Sequence, residues 1–356
     1  MKFAWIPSLL FLVALTSCGP TEPAPLASDT PAAPVADETA EPVAEPAVDA
    51  PAESLTIGVM PKLVGIDFFN ATERGAREAA KELGVELVYD GPVTNDVQQQ
   101  VQMVETWLSK DYDAIAVAPN DPDAIAPVLE DARAKGSAVI AWDADAAASA
   151  RDYFVSQCSP ESVAHALMDL VAKNCGEDAK YIILTGSLTA ANQNIWMGEM
   201  EKYRQAKYPA MTNLSETPKV SEEDQALATQ VTTDILKAYP ELDAIFAITT
   251  VALPGAAEAL KNSDRREQVY LTGVSTPNVM REYIEQGVVK EFVLWDAVDL
   301  GYLTVHVAAA AAKGQMDPAQ ATFTAGRLGA VGVANNVVTL GAPIVFSKEN
   351  IGKYDF

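Results

Sequence analysis

From Leu55 onward, short apolar segments alternate with longer amphipathic segments that carry helix caps, and nothing else in the chain restricts its fold as much. Apolar runs without polar alternation fit strands buried on both faces, and helices joining such strands build a doubly wound parallel sheet. Strands are expected at 55–60, 85–89, 113–118 and 137–142, then at 180–185, 243–248, 268–272 and 290–295. Asn70-Ala-Thr-Glu73 has capping-box spacing at the head of a helix ending near Gly84. Asp96 and Asp121-Pro122 open the next two helices, which stop at Ser109 and Gly136. Ser159-Pro160 and Thr276-Pro277 open two more, ended by Gly176 and Gly287. Asp113-Ala-Ile-Ala-Val and Asp243-Ala-Ile-Phe-Ala echo one another, which favours two lobes built alike over one continuous sheet. The weakly alternating tail from Val331 to Phe356 is expected to hold short strands.

The run Ser137-Ala-Val-Ile-Ala-Trp142-Asp143-Ala-Asp145 is the most informative strand end, because an apolar segment stops there in an aromatic and two carboxylates. Ligands of open α/β sheets bind at the carboxyl edge of the strands. A carboxylate there accepts several hydroxyl hydrogen bonds, and an aromatic covers the apolar face of a sugar ring. Polyol binding is the first expectation; the alternative is that Asp143 caps a turn and Trp142 is core. Other polar residues also follow expected strands: Lys62, Asn192-Gln193-Asn194, Pro254-Gly-Ala256 and Trp295-Asp296, with Phe68 and Phe69 near the first of them. If these ends share a crevice between lobes, its carboxylates, amides, ammonium and tryptophans suit a neutral, hydroxyl-rich small molecule.

A formal net charge of −24 argues against a nucleic-acid partner, since binding phosphate backbones takes clustered Lys and Arg. The amino terminus, Met1-Lys2 followed by an apolar run from Phe3 to Leu15, reads as a secretory signal. It is shorter than the roughly 20 residues of a spanning helix. Leu15-Thr-Ser-Cys18 resembles a bacterial lipobox, with Cys18 as the lipidated first residue of the mature chain. Between Gly19 and Ser54 there are eight prolines, eight acids and no Lys or Arg, a composition that cannot bury enough apolar surface to fold and reads as a tether. Cys158 and Cys175 flank a helix that would hold them roughly 25 Å apart, too far for a disulfide. No cofactor is expected. His165 and His306 have no Cys or acidic spacing that suggests a metal site.

Several longer stretches resemble known proteins. Pro61-Lys62-Leu-Val-Gly65, Tyr89-Asp-Gly-Pro92, Trp142-Asp143-Ala-Asp145, Ser275-Thr-Pro-Asn-Val-Met-Arg281 and Lys348-Glu-Asn-Ile-Gly-Lys-Tyr-Asp-Phe356 look like the autoinducer-2-binding proteins of ABC importers. Ala191-Asn192-Gln193-Asn194-Ile195-Trp196, Asp299-Leu-Gly-Tyr302 and Ala325-Gly-Arg-Leu-Gly329 look more like rhamnose-binding proteins. Both are type I periplasmic binding proteins, and the resemblance runs from about Leu55 to the carboxyl terminus. It implies an α/β fold of two Rossmann-like doubly wound lobes joined by hinge crossings, closing on a ligand and presenting the closed form to a membrane permease. The organisation that follows is a signal peptide over 1–17, a lipidated Cys and tether over 18–54, an N-terminal lobe over 55–156, a C-terminal lobe over 157–295, and shared return segments over 296–356. The pocket Lys, Asp, Gln, Pro and Ala of the autoinducer-2 relatives match Lys62, Asp143, Gln193, Pro254 and Ala256, whereas Asn192 stands where those relatives have Asp. Phe69, Trp295 and Asp296 complete the expected ligand-binding set, with Asp296 also readable as a helix N-cap and Trp196 as core.

The expected function is an extracytoplasmic sugar-binding lipoprotein of an ABC importer. Its partners would be a small-molecule sugar or autoinducer-2, the inner-membrane permease and the membrane through its lipid, with the protein monomeric and periplasmic. A sensor that hands its closed form to a signalling protein is a second reading. A glycosidase using Asp143 and Asp145, which needs roughly 5 to 9.5 Å between carboxyls, is the enzyme alternative, and no enzymatic activity is expected.

Overall fold

The structure is a computed structural model and describes residues 54–317 and 319–356. The first half runs β1 (Thr56–Met60), α1 (Asp67–Leu83), β2 (Glu86–Tyr89), α2 (Val97–Leu108), β3 (Ala114–Val117), α3 (Pro122–Ala134), β4 (Ala138–Trp142) and β5 (Tyr153–Ser156). The second continues with α4 (Pro160–Cys175), β6 (Lys180–Thr185), α5 (Ala191–Lys207), β7 (Thr212–Asn213), β8 (Lys219–Val220), α6 (Gln225–Ala238), β9 (Ala244–Ala247) and α7 (Ala252–Lys261). It ends with β10 (Tyr270–Gly273), α8 (Pro277–Glu285) and β11 (Glu291–Leu294). The return segments are α9 (Ala297–Ala312), β12 (Thr322–Ala325), β13 (Gly329–Ala334), β14 (Val337–Thr339) and β15 (Ile344–Ser347).

Two sheets of the same winding result. In the first the order is β12-β13-β14-β5-β4-β3-β1-β2, parallel from β14 to β2 and antiparallel at the β12–β14 edge. In the second it is β10-β9-β6-β7, all parallel, with β8 also on β6. β11 meets β10 through a Val274–Val293 bridge and pairs antiparallel with β15. Each sheet reverses its strand order once, at β1/β3 and at β6/β9, and a crevice opens at such a switch point. The sequence echo has a structural counterpart. The Asp113 carboxylate accepts the N–H of Thr56 at 2.7 Å, ahead of β3, and the Asp243 carboxylate accepts that of Lys180 at 2.8 Å, ahead of β9.

The chain passes between the sheets after Ser156, after Leu294 and after Thr339. The second passage returns α9 to the first lobe, where it packs along α1. The expected caps at Asp96, Asp121 and Ser159 accept backbone N–H groups of their helices. α1 departs from expectation: it begins at Asp67, so Asn70, the expected cap, lies within its first turn, and no side chain caps the helix. Tertiary packing adds the extra turn, because Phe68 sits edge-on to Trp295 at 6.0 Å and Phe69 edge-on to Trp142 at 5.8 Å. The short β7, β8 and β12 were not anticipated, since two to four half-exposed residues carry too little apolar pattern to mark a strand. Cys158 and Cys175 are free at the two ends of α4, and burial pushes their thiols up to about 12 and about 11. The signal, tether and Cys18 assignments lie outside the described residues.

Candidate ligand-binding cleft

The two switch points face one another across a cavity with about 380 Å³ of atom-free space, mouth included. From the first lobe, the loop after β1 delivers Lys62 and the end of β4 delivers Asp143, each about 95% buried. The Lys62 loop is braced from behind. Gln100 donates to Pro61 O and Ala118 O, and the side-chain amide of Asn120 donates to Lys62 O at 2.9 Å. Trp142 is wholly buried and its indole N–H donates to Met60 O at 3.2 Å, which ties the ends of β4 and β1 together. Of the readings of that stretch, Trp142 is core, as the alternative had it, while Asp143 turns into the cavity. Asp143 does so on a left-handed backbone, φ 61°, which a non-glycine residue adopts only at some cost.

From the second lobe, α5 begins after a short loop beyond β6 and places Asn192 and Gln193 on its first turn. Lys62 Nζ donates to Asn192 Oδ1 at 2.9 Å, joining the two lobes directly. Its distance to Asp143 Oδ2 is 3.9 Å, beyond hydrogen bonding, so that pair is coulombic only. Burial accordingly dominates at Asp143: loss of solvation raises its carboxyl to about 6, with Lys62 opposing the shift and Glu223 adding to it. Asn192 Oδ1 also accepts the N–H of Gln193, so the Asn192 amide N–H groups are what that residue has left to offer a ligand. Phe68, Phe69, Trp196 and Trp295 form the apolar wall, with Trp196 and Trp295 tilted against each other at 5.7 Å. The indole N–H of Trp295 is buried without a hydrogen-bond partner in the protein.

Lys62, Phe69, Asp143, Asn192, Gln193 and Trp295 therefore line one cavity. Pro254, Ala256 and Asp296 are not in its lining. Pro254 and Ala256 sit inside α7, packed into the lobe, because the chain reaches the cleft directly at the end of β9, where Ile248, Thr249 and Thr250 do the lining. Asp296 caps α9, accepting the N–H of Asp299 at 3.0 Å. Asp145 is bound by both nitrogens Nε and Nη2 of Arg151, at 2.5 and 2.8 Å, so the two acids of the glycosidase alternative serve different parts of the lobe. Sequence reasoning missed Thr249 and Thr250, which the strand-end argument applied to 243–248 would have found. It also missed Glu223, which follows a two-residue strand and left no such mark. Among the described residues no cluster of His, Cys, Asp or Glu is arranged to hold a metal ion.

Known proteins of this architecture are numerous. LsrB from Clostridium saccharobutylicum, solved in complex with AI-2, superposes with a TM-score of 0.81 at 28% identity, covering 85% of this chain and 100% of that one. An ABC transporter solute-binding protein from Clostridium phytofermentans with bound L-rhamnose gives 0.80 at 27% identity, covering 85% and 98%. The ribose import binding protein RbsB of Bacillus subtilis is 24% identical over 213 residues, 60% of this chain and 68% of its own. Residues 57–316 match the family model described as a periplasmic binding protein domain, most of the folded chain including both switch-point loops. On that match and on two doubly wound lobes facing across a cleft, the chain belongs to the periplasmic binding protein family.

Proposed function

We propose that this protein is the extracytoplasmic binding component of an ABC importer, a lipoprotein anchored through Cys18, which captures a neutral monosaccharide of the rhamnose type and delivers it to a permease. The carrying observation is the chemistry of the cavity between the lobes. It pairs an apolar aromatic wall with Asp143 as acceptor and with Lys62, Asn192, Gln193 and Trp295 as donors. Sugars present that combination, one face of C–H groups and an equator of hydroxyls that both give and take hydrogen bonds. The protein described with L-rhamnose bound is similar over the whole folded part.

Autoinducer-2 is the second reading, favoured by Lys62, Asp143 and Gln193 in the positions that the resemblance assigns to the pocket and by the similarity to LsrB. Asn192 weighs against it. Its Oδ1 is taken by Lys62 and by Gln193 N–H, so it gives donors where a carboxylate would give acceptors to a ligand dense in geminal hydroxyls. A mismatch of that kind costs roughly 1–3 kcal/mol, enough to invert a preference between small polyols. The test is a thermal-shift panel of L-rhamnose, other deoxyhexoses, pentoses and autoinducer-2 on the wild type and on Asn192→Asp. The wild type should be stabilised by a monosaccharide, and Asn192→Asp should move the preference toward autoinducer-2. Stabilisation of the wild type by autoinducer-2 alone would refute the sugar reading.

A further inference from the structure

Glu223 lines the cleft on a loop whose backbone is unusual twice over. Glu222 and Glu223 both adopt the left-handed region, φ 52° and 53°. Such strain persists where surrounding structure fixes it, and it is commonest at binding sites. The Glu223 carboxylate lies against Gly186, where a Cβ would stand 2.0 Å from Oε1, so it fills space that the glycine leaves open. Two groups that can only donate in this setting hold the carboxylate. Gly186 N–H donates to Gln193 Oε1 at 2.7 Å, which turns the Gln193 amide nitrogen outward, and Nε2 then donates to Glu223 Oε1 at 2.9 Å. The hydroxyl of Thr249 donates to Glu223 Oε2. Each carboxylate oxygen has acceptor capacity beyond one bond, so both remain able to accept from a ligand.

We infer that Glu223 is a ligand-binding and selectivity-determining residue of this cleft, one that favours uncharged polyols over sugar acids and fixes Gln193 as a donor. The inference rests on the carbohydrate reading of the cleft and extends it. Lys62 is the one cation among the residues lining the cavity, against the carboxylates Asp143 and Glu223, one from each lobe. An aldonate or uronate carboxylate entering there would meet like charge with little water to screen it. A hydroxyl, by contrast, donates to either acid. Asp143 already feels Glu223, whose charge helps to raise its carboxyl, so the two act in one field.

Titration calorimetry with D-ribose, L-rhamnose, D-ribonate and L-rhamnonate tests this on the wild type, Glu223→Gln and Glu223→Asn. Gln keeps the shape and removes the charge. Asn removes charge and reach and is at ease in the left-handed region, so it guards against a variant that fails to fold. The wild type should bind at least one neutral sugar and its acid at least 100-fold more weakly. Both variants should lose tenfold or more for the neutral sugar and narrow the neutral-to-acid ratio by tenfold or more. Neutral-sugar affinity within twofold of wild type and an unchanged ratio in the folded variants would overturn the role of Glu223 while leaving the carbohydrate reading intact. A wild type that binds no neutral sugar of the thermal-shift panel would overturn that reading, and the inference with it.

Discussion

At the scale of single residues, the cleft is costly to the fold, and Asp143 measures the cost. Its carboxyl is raised to about 6 from an ordinary 3.8, so the folded state prefers the protonated acid. The stability this confers is fully present below the unfolded value and is lost as pH rises through about 6, which leaves a deficit of up to about 3 kcal/mol at neutral pH. Asp143→Asn should therefore raise the melting temperature at pH 7.5 and leave it nearly unchanged near pH 4; an equal shift at both would show that the charge is not the cause. A sugar hydroxyl that donates to the ionised acid reverses the preference. Affinity for a neutral sugar should accordingly climb as pH rises through about 6 and level off above, with proton release seen as a buffer-dependent calorimetric heat. Asp143→Ala should weaken binding by roughly 1.5–3 kcal/mol. The strand-end rule made Lys62 and Asp143 legible in the sequence, because each sits at the end of an apolar run, and Asn192 and Gln193 follow another such run through a small-residue loop. Glu223 was not legible, because its place in the cleft comes from two left-handed residues and a facing glycine, none of which has a local sequence pattern.

At the scale of elements, the crossing of α1 and α9 carries the first lobe and depends on two glycines. A Cβ on Gly75 would stand 1.8 Å from Val298 O, and one on Gly301 would stand 1.9 Å from Thr72 O. Each helix thus presents a bare backbone to the other. Gly301→Ala must push the helices apart, and overpacking of this kind costs roughly 1–3 kcal/mol or more. Denaturant titration should show that loss, whereas Gly198→Ala, in the middle of α5 with open space at its Cβ, should be neutral or slightly stabilising. Equal stability of Gly301→Ala and wild type would mean that the crossing is less rigid than its geometry. Helices with a side-chain cap, such as those opened by Asp96, Asp121 and Ser159, were legible nearly to the residue. α1 was not, because its first turn is set by Phe68 and Phe69 packing on tryptophans far away in sequence.

At the scale of the molecule, the duplicated design was visible in Asp113 and Asp243, which brace the neighbouring strand in the same way in each lobe. The three passages between lobes carry no local sequence signal, since they depend on where α9 and β14 return; the hinge crossings and lobe limits expected from the sequence came from the resemblance alone. Two predictions belong here. Cys18→Ser should release the protein from the membrane fraction into the soluble periplasm, and unchanged partitioning would remove the lipid anchor. The other concerns closure. Lys62 Nζ to Asn192 Oδ1, and Thr189 Oγ1 to Asn120 O at 3.1 Å, both run from one lobe to the other and must break when the cleft opens. A ligand shifts an open–closed equilibrium only through its different affinity for the two states, and here only the closed state brings Asp143 and Gln193 to the same molecule. The Lys62 bond biases that equilibrium before any ligand contributes, since a hydrogen bond to a charged group is worth roughly 1.5–3 kcal/mol. Lys62→Met, which keeps the stem and removes the ammonium, should therefore increase the radius of gyration of the unliganded protein in small-angle scattering. It should also enlarge the compaction produced by saturating sugar, because more of the population starts open. If variant and wild type scatter alike with and without sugar, the Lys62–Asn192 bond does not govern closure.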